Sequence, residues 1–167
     1  IISAGGSGIG KAILESFHAQ GAKIATCDIN PDLVKTLQDD YPDIYAEVVD
    51  VSDEHAVQSF CSNALEKLEG LDCLINNAGI AGPTSKIDEI DTADWAECLN
   101  ICLTSQFLLI KNCVPKLRLS ANASIINLSS AAGKMGFALR SPYAAAKWGV
   151  IGLTKSLAIE LGEANIR

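Results

Sequence analysis

The sequence predicts an α/β fold, a doubly wound parallel sheet with helices on both faces. Two observations carry that expectation. Short apolar runs alternate five times with longer segments of helical periodicity, the pattern of a parallel sheet with crossover helices. The first apolar run leads directly into a glycine-rich turn, Ser3–Gly10, and then into a helix. In such sheets ligands bind beyond the carboxyl ends of the strands, so the residues just past each strand carry the functional reading.

In chain order, Ile1-Ile2 is the stub of a strand, and a helix over Ile9–Gln20 is stopped by Gly21. Lys23–Asp28 reads as a buried strand. Asn30 and Pro31 supply an N-cap and a first-turn proline for a helix ending near Asp40. Ile44–Val49 is the next strand, and Ser52 caps a helix to Glu69. Cys73–Asn76 is a short strand. Thr92 caps a long helix through Leu119, which Pro115 kinks or ends. Ser124–Leu128 is a strand, Ser129–Ser141 a loop and Pro142–Leu161 the final helix. No break in composition divides the chain, so residues 1–167 read as one domain.

Composition narrows the function classes. The chain is 49% hydrophobic and 20% charged, as globular proteins are. A net charge of -7 argues against nonspecific nucleic-acid binding and against a basic membrane-binding patch. No apolar run approaches the roughly eighteen residues of a membrane span, and no signal-peptide pattern is visible. The cysteines Cys27, Cys61, Cys73, Cys98, Cys102 and Cys113 form no Cys-x-x-Cys pair, and His18 and His55 have no evident ligand partners. Reduced cysteines, no metal site and a cytoplasmic location are expected.

The glycine turn lets the backbone approach a pyrophosphate while the next helix points free N–H groups at it. Asp28, eighteen positions beyond Gly10, can accept hydrogen bonds from adenine-ribose hydroxyls and would repel a 2′-phosphate, favouring NAD over NADP. No Arg or Lys lies within the turn or just after Asp28 to offset that repulsion. Asp50-Val51 suits an adenine amino group and ring face, or is a simple turn. Asn76-Asn77-Ala78-Gly79 lets a flat ligand approach, or ties strand ends together. Asn100 sits inside an apolar pattern, Leu99–Leu103, and is expected to be a buried amide with a satisfying partner. Ser129-Ser130 begin the loop that leads to Tyr143.

Tyr143 and Lys147 are four apart in a predicted helix and therefore share a face. An ammonium beside a phenol favours the phenolate. Moving a tyrosine from about 10 to about 7 takes roughly 4 kcal/mol. Met135, Phe137 and Leu139 either line an apolar pocket or pack locally. Arg140 either meets an anionic substrate group or is an exposed or interface arginine.

Ser3–Gly10, Asp50, Asn76–Gly79, Ser130 and Tyr143-x-x-x-Lys147 occur in the order in which the short-chain dehydrogenase/reductase family carries such signatures. The chain resembles that family over essentially its whole length. The resemblance implies a Rossmann-like fold and a catalytic tetrad of Asn100, Ser130, Tyr143 and Lys147. Tyr143 would be the general acid/base, with its pKa lowered by Lys147. Ser130 would hold the substrate oxygen, and Asn100 would position a water linking Lys147 to solvent. The implied cofactor-binding set is Ser3, Gly5, Ser7, Gly8, Ile9, Gly10, Asp28, Ile29, Asp50, Val51, Asn77, Ala78 and Gly79, with Tyr143 and Lys147.

The expected activity is NAD-dependent interconversion of a secondary alcohol and a ketone. The alternatives are a non-catalytic NAD-binding module and an NADP-linked 3-oxoacyl-thioester reductase. The resemblance also implies a homodimer or homotetramer, with Phe107, Trp148 and Leu153 as interface or core residues. Against the family pattern, Ser3-Ala4 replaces Thr-Gly, and Ala4 is expected to adopt an ordinary backbone conformation. The chain also starts within the first strand and stops at Arg167, short of the family's length, so a fragment incomplete at both ends is expected, the alternative being a degenerate member without its substrate cap.

Overall fold

The computed structural model describes residues 1–167. Its strands are β1 (Ile2–Ser3), β2 (Ala25–Asp28), β3 (Tyr45–Val48), β4 (Cys73–Asn76) and β5 (Ser124–Asn127). They form one all-parallel sheet in the order β3-β2-β1-β4-β5. β1 pairs with β2 on one side and with β4 on the other, so the chain reverses its winding direction at β1. That switch point opens a crevice at the carboxyl ends of β1 and β4.

The helices are α1 (Gly8–His18), α2 (Pro31–Asp40), α3 (Glu54–Leu68), α4 (Thr92–Leu99), α5 (Ser105–Leu117) and α6 (Ser141–Glu160). On one face of the sheet, Leu14 of α1 and Val34 and Leu37 of α2 pack with Ile2, Ile24 and Ile75. On the other, Val57, Phe60 and Cys61 of α3 meet Leu109, Cys113 and Leu117 of α5 over Leu74 and Ala25. Fully burying one such side chain is worth about 1.5–3 kcal/mol. A third, smaller cluster joins Cys98, Cys102 and Ala146, tying α4 to α6.

Local chemistry sets the helix ends. The Asn30 side chain accepts from the N–H groups of Asp32 and Leu33, with Pro31 in the first turn. Gly21, at φ +76°, closes α1, and the Ala22 and Gly21 N–H groups bond the Phe17 and His18 carbonyls.

Several expected boundaries move. Asp53, rather than Ser52, caps α3 by accepting from the His55 and Ala56 N–H groups. Ser52 instead donates its N–H and hydroxyl to Asp50. Asp91, rather than Thr92, occupies the N-cap position of α4, and its side chain makes no capping bond. The expected long helix is two helices joined by a π-helical turn, Asn100–Thr104. Pro115 lies inside α5, which ends two residues later at Leu117. A short 3₁₀ turn, Ala131–Gly133, sits within the expected loop after β5. His18 pairs with Asp43 at 3.0 Å. All six cysteines are unpaired. No helix is long and apolar enough to cross a membrane.

Candidate active site

The crevice is held by a cross-tie between the ends of β1 and β4. Ser3 Oγ accepts the N–H groups of Asn77 and Ala78, each at 3.0 Å. Asn77 Nδ2 in return donates to the carbonyls of Ser3 and Ala4 at 3.1 and 3.0 Å. These bonds tie Ser3 to Asn77 and shape the turn, and Asn77 also lines the cleft described below. Gly10 is required here: a Cβ on it would overlap the Ala4 carbonyl and come within 2.6 Å of Asn77 Nδ2. Ala4 does not adopt an ordinary conformation. Its φ is +53°, in the left-handed region, because the backbone must bend there to pass from β1 into the turn.

α1 starts at Gly8 with Ser7 at the N-cap, and the Ser7 side chain caps none of the first-turn N–H groups. Those groups and the helix dipole form a receptor for an anionic group. Asp28, at the end of β2, is 8% exposed. Its carboxylate accepts the Gly6 N–H at 3.0 Å and the Asn30 N–H at 3.1 Å. Ile29 beside it is exposed, as is Ile9 at the start of α1. Asp28, Ile29, Asp50, Val51, Ala78 and Gly79 line one cavity of about 130 Å³, on the β2–β3 side of the crevice. The residues present fit a dinucleotide: uncapped helix amides, a carboxylate at the β2 end and an apolar-walled slot beyond it.

A second cleft, of about 420 Å³, runs from Ile9, Asn77 and Gly79 to Ser130, Tyr143 and Lys147. α6 carries Tyr143 and Lys147 one turn apart, with the Lys147 Nζ 5.7 Å from the Tyr143 ring centroid. Lys147 is 4% exposed, and its ammonium donates to the Leu128 carbonyl at 2.8 Å. Burial pushes its pKa below the usual lysine value, opposed by the neighbouring Cys102 and Cys98. The loop after β5 is fastened to α6 by the Ser129 hydroxyl, which donates to the Lys147 carbonyl at 2.9 Å. Ser130 Oγ accepts the Ala132 N–H at 3.2 Å, which leaves its own O–H free to donate.

Arg140 joins this cleft. Its Nη1 donates to the Ala81 carbonyl at 2.8 Å and to Gly82 at 3.5 Å, pinning the segment after β4 against the start of α6. Phe137 also lines the cleft, whereas Met135 and Leu139 do not. Trp148 and Phe107 are about half exposed, at 51% and 47%, and Leu153 packs partly against the main core. A further cavity of about 470 Å³ lies at the amino ends of the strands, against Ile2, Ile24 and Leu71, on the side of the sheet edge away from Tyr143.

Asn100 does not join the others. It is exposed rather than buried, and its side chain accepts only from the Thr104 hydroxyl, at 3.5 Å. The physical reason is helical phase. Cys98, Cys102 and Gln106 are four apart and all buried, so a residue two positions away from Cys102 points outward. Sequence reasoning missed Cys102 at this face, although the four-residue spacing through Cys98 and Gln106 was a signal that pointed to it.

Comparisons with known proteins identify the family and the fold. The family model described as short chain dehydrogenase matches residues 1–167. The trans-4-hydroxycyclohexanecarboxylate dehydrogenase of Sinomonas cyclohexanicum is 37% identical over 180 residues, covering 100% of this chain and 68% of that protein. The NAD(+)-dependent 2-dehydro-3-deoxy-L-rhamnonate dehydrogenase of a Sphingomonas strain is 35% identical, covering 96% of this chain and 65% of that protein. The crystal structure of levodione reductase superposes with a TM-score of 0.93 at 32% identity, over 99% of this chain and 67% of that one. A metagenomic short-chain oxidoreductase in complex with NADP gives a TM-score of 0.93 at 26% identity. The chain spans about two thirds of the length of the curated relatives that it matches. With a family model matched over the whole chain and relatives above 30% identity, the chain belongs to the short-chain dehydrogenase/reductase family.

Proposed function

We propose that this chain carries the catalytic site of an NAD-dependent oxidoreductase that interconverts a secondary alcohol and a ketone. One observation carries the reading: Ser130, Tyr143 and Lys147 line the same cleft as Asn77 and Gly79 of the nucleotide crevice. Tyr143 exchanges a proton with the substrate oxygen. The buried Lys147 ammonium, 5.7 Å from the ring centre, supplies a positive charge beside the phenol during that exchange. Ser130 donates its free O–H to the same substrate oxygen and holds it in place. The nicotinamide group supplies the hydride chemistry when bound. Asp28 supports NAD over NADP, because a 2′-phosphate would face a carboxylate with no cation beside it.

The cleft also supports a substrate class. Arg140 and Lys147 are the charged side chains that line it, and no carboxylate does. Lys147 is buried, while Arg140 is half-buried and commits only Nη1 to backbone. Its remaining N–H groups suit a planar carboxylate. The hydroxycyclohexanecarboxylate and rhamnonate dehydrogenases are named for carboxylates. We therefore assign the substrate as a hydroxy- or oxo-carboxylate.

Tyr143→Phe in the full-length protein tests the catalytic reading. Turnover should fall by about 10²–10⁴-fold while NADH binding, followed by fluorescence, persists. Full turnover in the variant would sink the assignment. Cofactor binding by a wild-type protein that turns over no alcohol would favour the non-catalytic nucleotide-binding alternative.

A further inference from the structure

Cys102 lies behind the wall of the candidate active-site cleft and is hydrogen-bonded to Ile80. It sits in the π-helical turn between α4 and α5 and is wholly buried. Its Sγ accepts the Ile80 N–H at 3.3 Å, and its S–H is placed to donate to the Ile80 carbonyl at 3.3 Å. Both backbone groups of one cleft-lining residue therefore converge on a single sulfur. A backbone amide left unpartnered in that position would carry a desolvation cost, so the thiol fixes where Ile80 sits. Gly79 shows how close the packing is. A Cβ on Gly79 would lie 3.6 Å from both Cys102 Sγ and Lys147 Nζ. The thiol and the ammonium thus face one another across a bare Cα.

We propose that Cys102 is a positioning residue of this site, its thiol holding the Gly79–Ala81 wall against Lys147 through the paired hydrogen bonds to Ile80. The proposal rests on the catalytic reading above. Asn100, to which the family resemblance gave a water-positioning role, lies two residues away and faces solvent. A thiol reproduces the donor and acceptor of an amide at one atom, with longer and weaker bonds. The titratable groups facing Lys147 are Tyr143 on its own helix and Cys102 and Cys98 from the α4 side. Burial and the adjacent Cys102 push the Cys98 thiol up to about 12, so Cys98 stays neutral. The polarity and size of residue 102 therefore set the surroundings in which Lys147 acts on Tyr143.

The test uses the full-length protein with Cys102→Ala and Cys102→Val, a smaller and a larger apolar side chain that both remove the two bonds, and Cys102→Ser and Cys102→Asn, which keep a donor and an acceptor. Three quantities are measured: the pH profile of kcat, the KM for NAD+, and hydrogen–deuterium exchange at the Ile80 N–H. In Cys102→Val, kcat should fall about 10- to 100-fold, with the pH profile displaced and Ile80 exchange accelerated. Cys102→Ser and Cys102→Asn should restore most of the rate and the wild-type profile. If Cys102→Val does not fold, Cys102→Ala carries the same comparison. A wild-type pH profile in the variants without the bonds would overturn the proposal. So would equal losses in all variants with unchanged Ile80 exchange, or a profile that moves with Asn100→Ala instead. The Ile80 exchange needs no turnover, so a failure of the catalytic reading would remain distinguishable from a failure of this one.

Discussion

Asp28 and Gly6 hold one another across the crevice: the carboxylate at the end of β2 accepts the N–H of the glycine turn at 3.0 Å. A Cβ on Gly6 would come within 2.7 Å of that same Asp28 oxygen, so the contact depends on glycine at this point. The carboxylate that would select the cofactor also braces the phosphate turn.

Asp28→Ser should therefore act twice. NAD binding is expected to weaken about tenfold, which is roughly 1.4 kcal/mol, and the NAD-to-NADP affinity ratio should fall further because the repulsion of a 2′-phosphate is gone. Calorimetric titration with both cofactors checks this. An unchanged ratio would detach cofactor choice from Asp28.

Ala4, at φ +53°, is a strained residue in a turn where glycine is unstrained. Ala4→Gly should stabilise the fold by about 0.5–1 kcal/mol, the left-handed penalty less the extra flexibility glycine adds to the unfolded chain. The matching rise in melting temperature is roughly 1–4 °C for a chain of this size. A lower melting temperature would mean that Ala4 is not strained.

Lys147 ties stability to pH. Burial lowers its folded pKa below the unfolded value of about 10.5, so between the two values the unfolded chain binds more protons. Stability from this group therefore rises with pH through that window and is least below it. Lys147→Met should be more stable than wild type at pH 7, with the gap narrowing as the pH approaches 10 in denaturant titrations. The same variant should lose turnover, because the positive charge beside the phenol is gone.

Arg140→Gln separates the two tasks assigned to the guanidinium. If it binds substrate, KM should rise at least tenfold for a hydroxy-carboxylate, about 1.4 kcal/mol, and stay nearly constant for the corresponding methyl ester. An equal rise for both would reduce Arg140 to its backbone contacts with Ala81 and Gly82.

The sequence by itself determined the fold class, the order of strands and helices along the chain and the address of the candidate site. Strand and helix periods are local, so the stub at Ile1-Ile2, the glycine turn and the α6 pair Tyr143 and Lys147 were legible from spacing alone. Tertiary structure decided what spacing does not encode. Ser3 and Asn77 bind each other because β1 and β4 are neighbours in the sheet, although 74 residues separate them in the chain. The Ala4 strain comes from the angle at which β1 meets α1. Above all, the phase of the turn at Asn100–Thr104 is set by packing against α6 and Ile80. That phase sends an amide to solvent and a thiol to the active-site wall, because in a helical segment two residues apart means opposite faces.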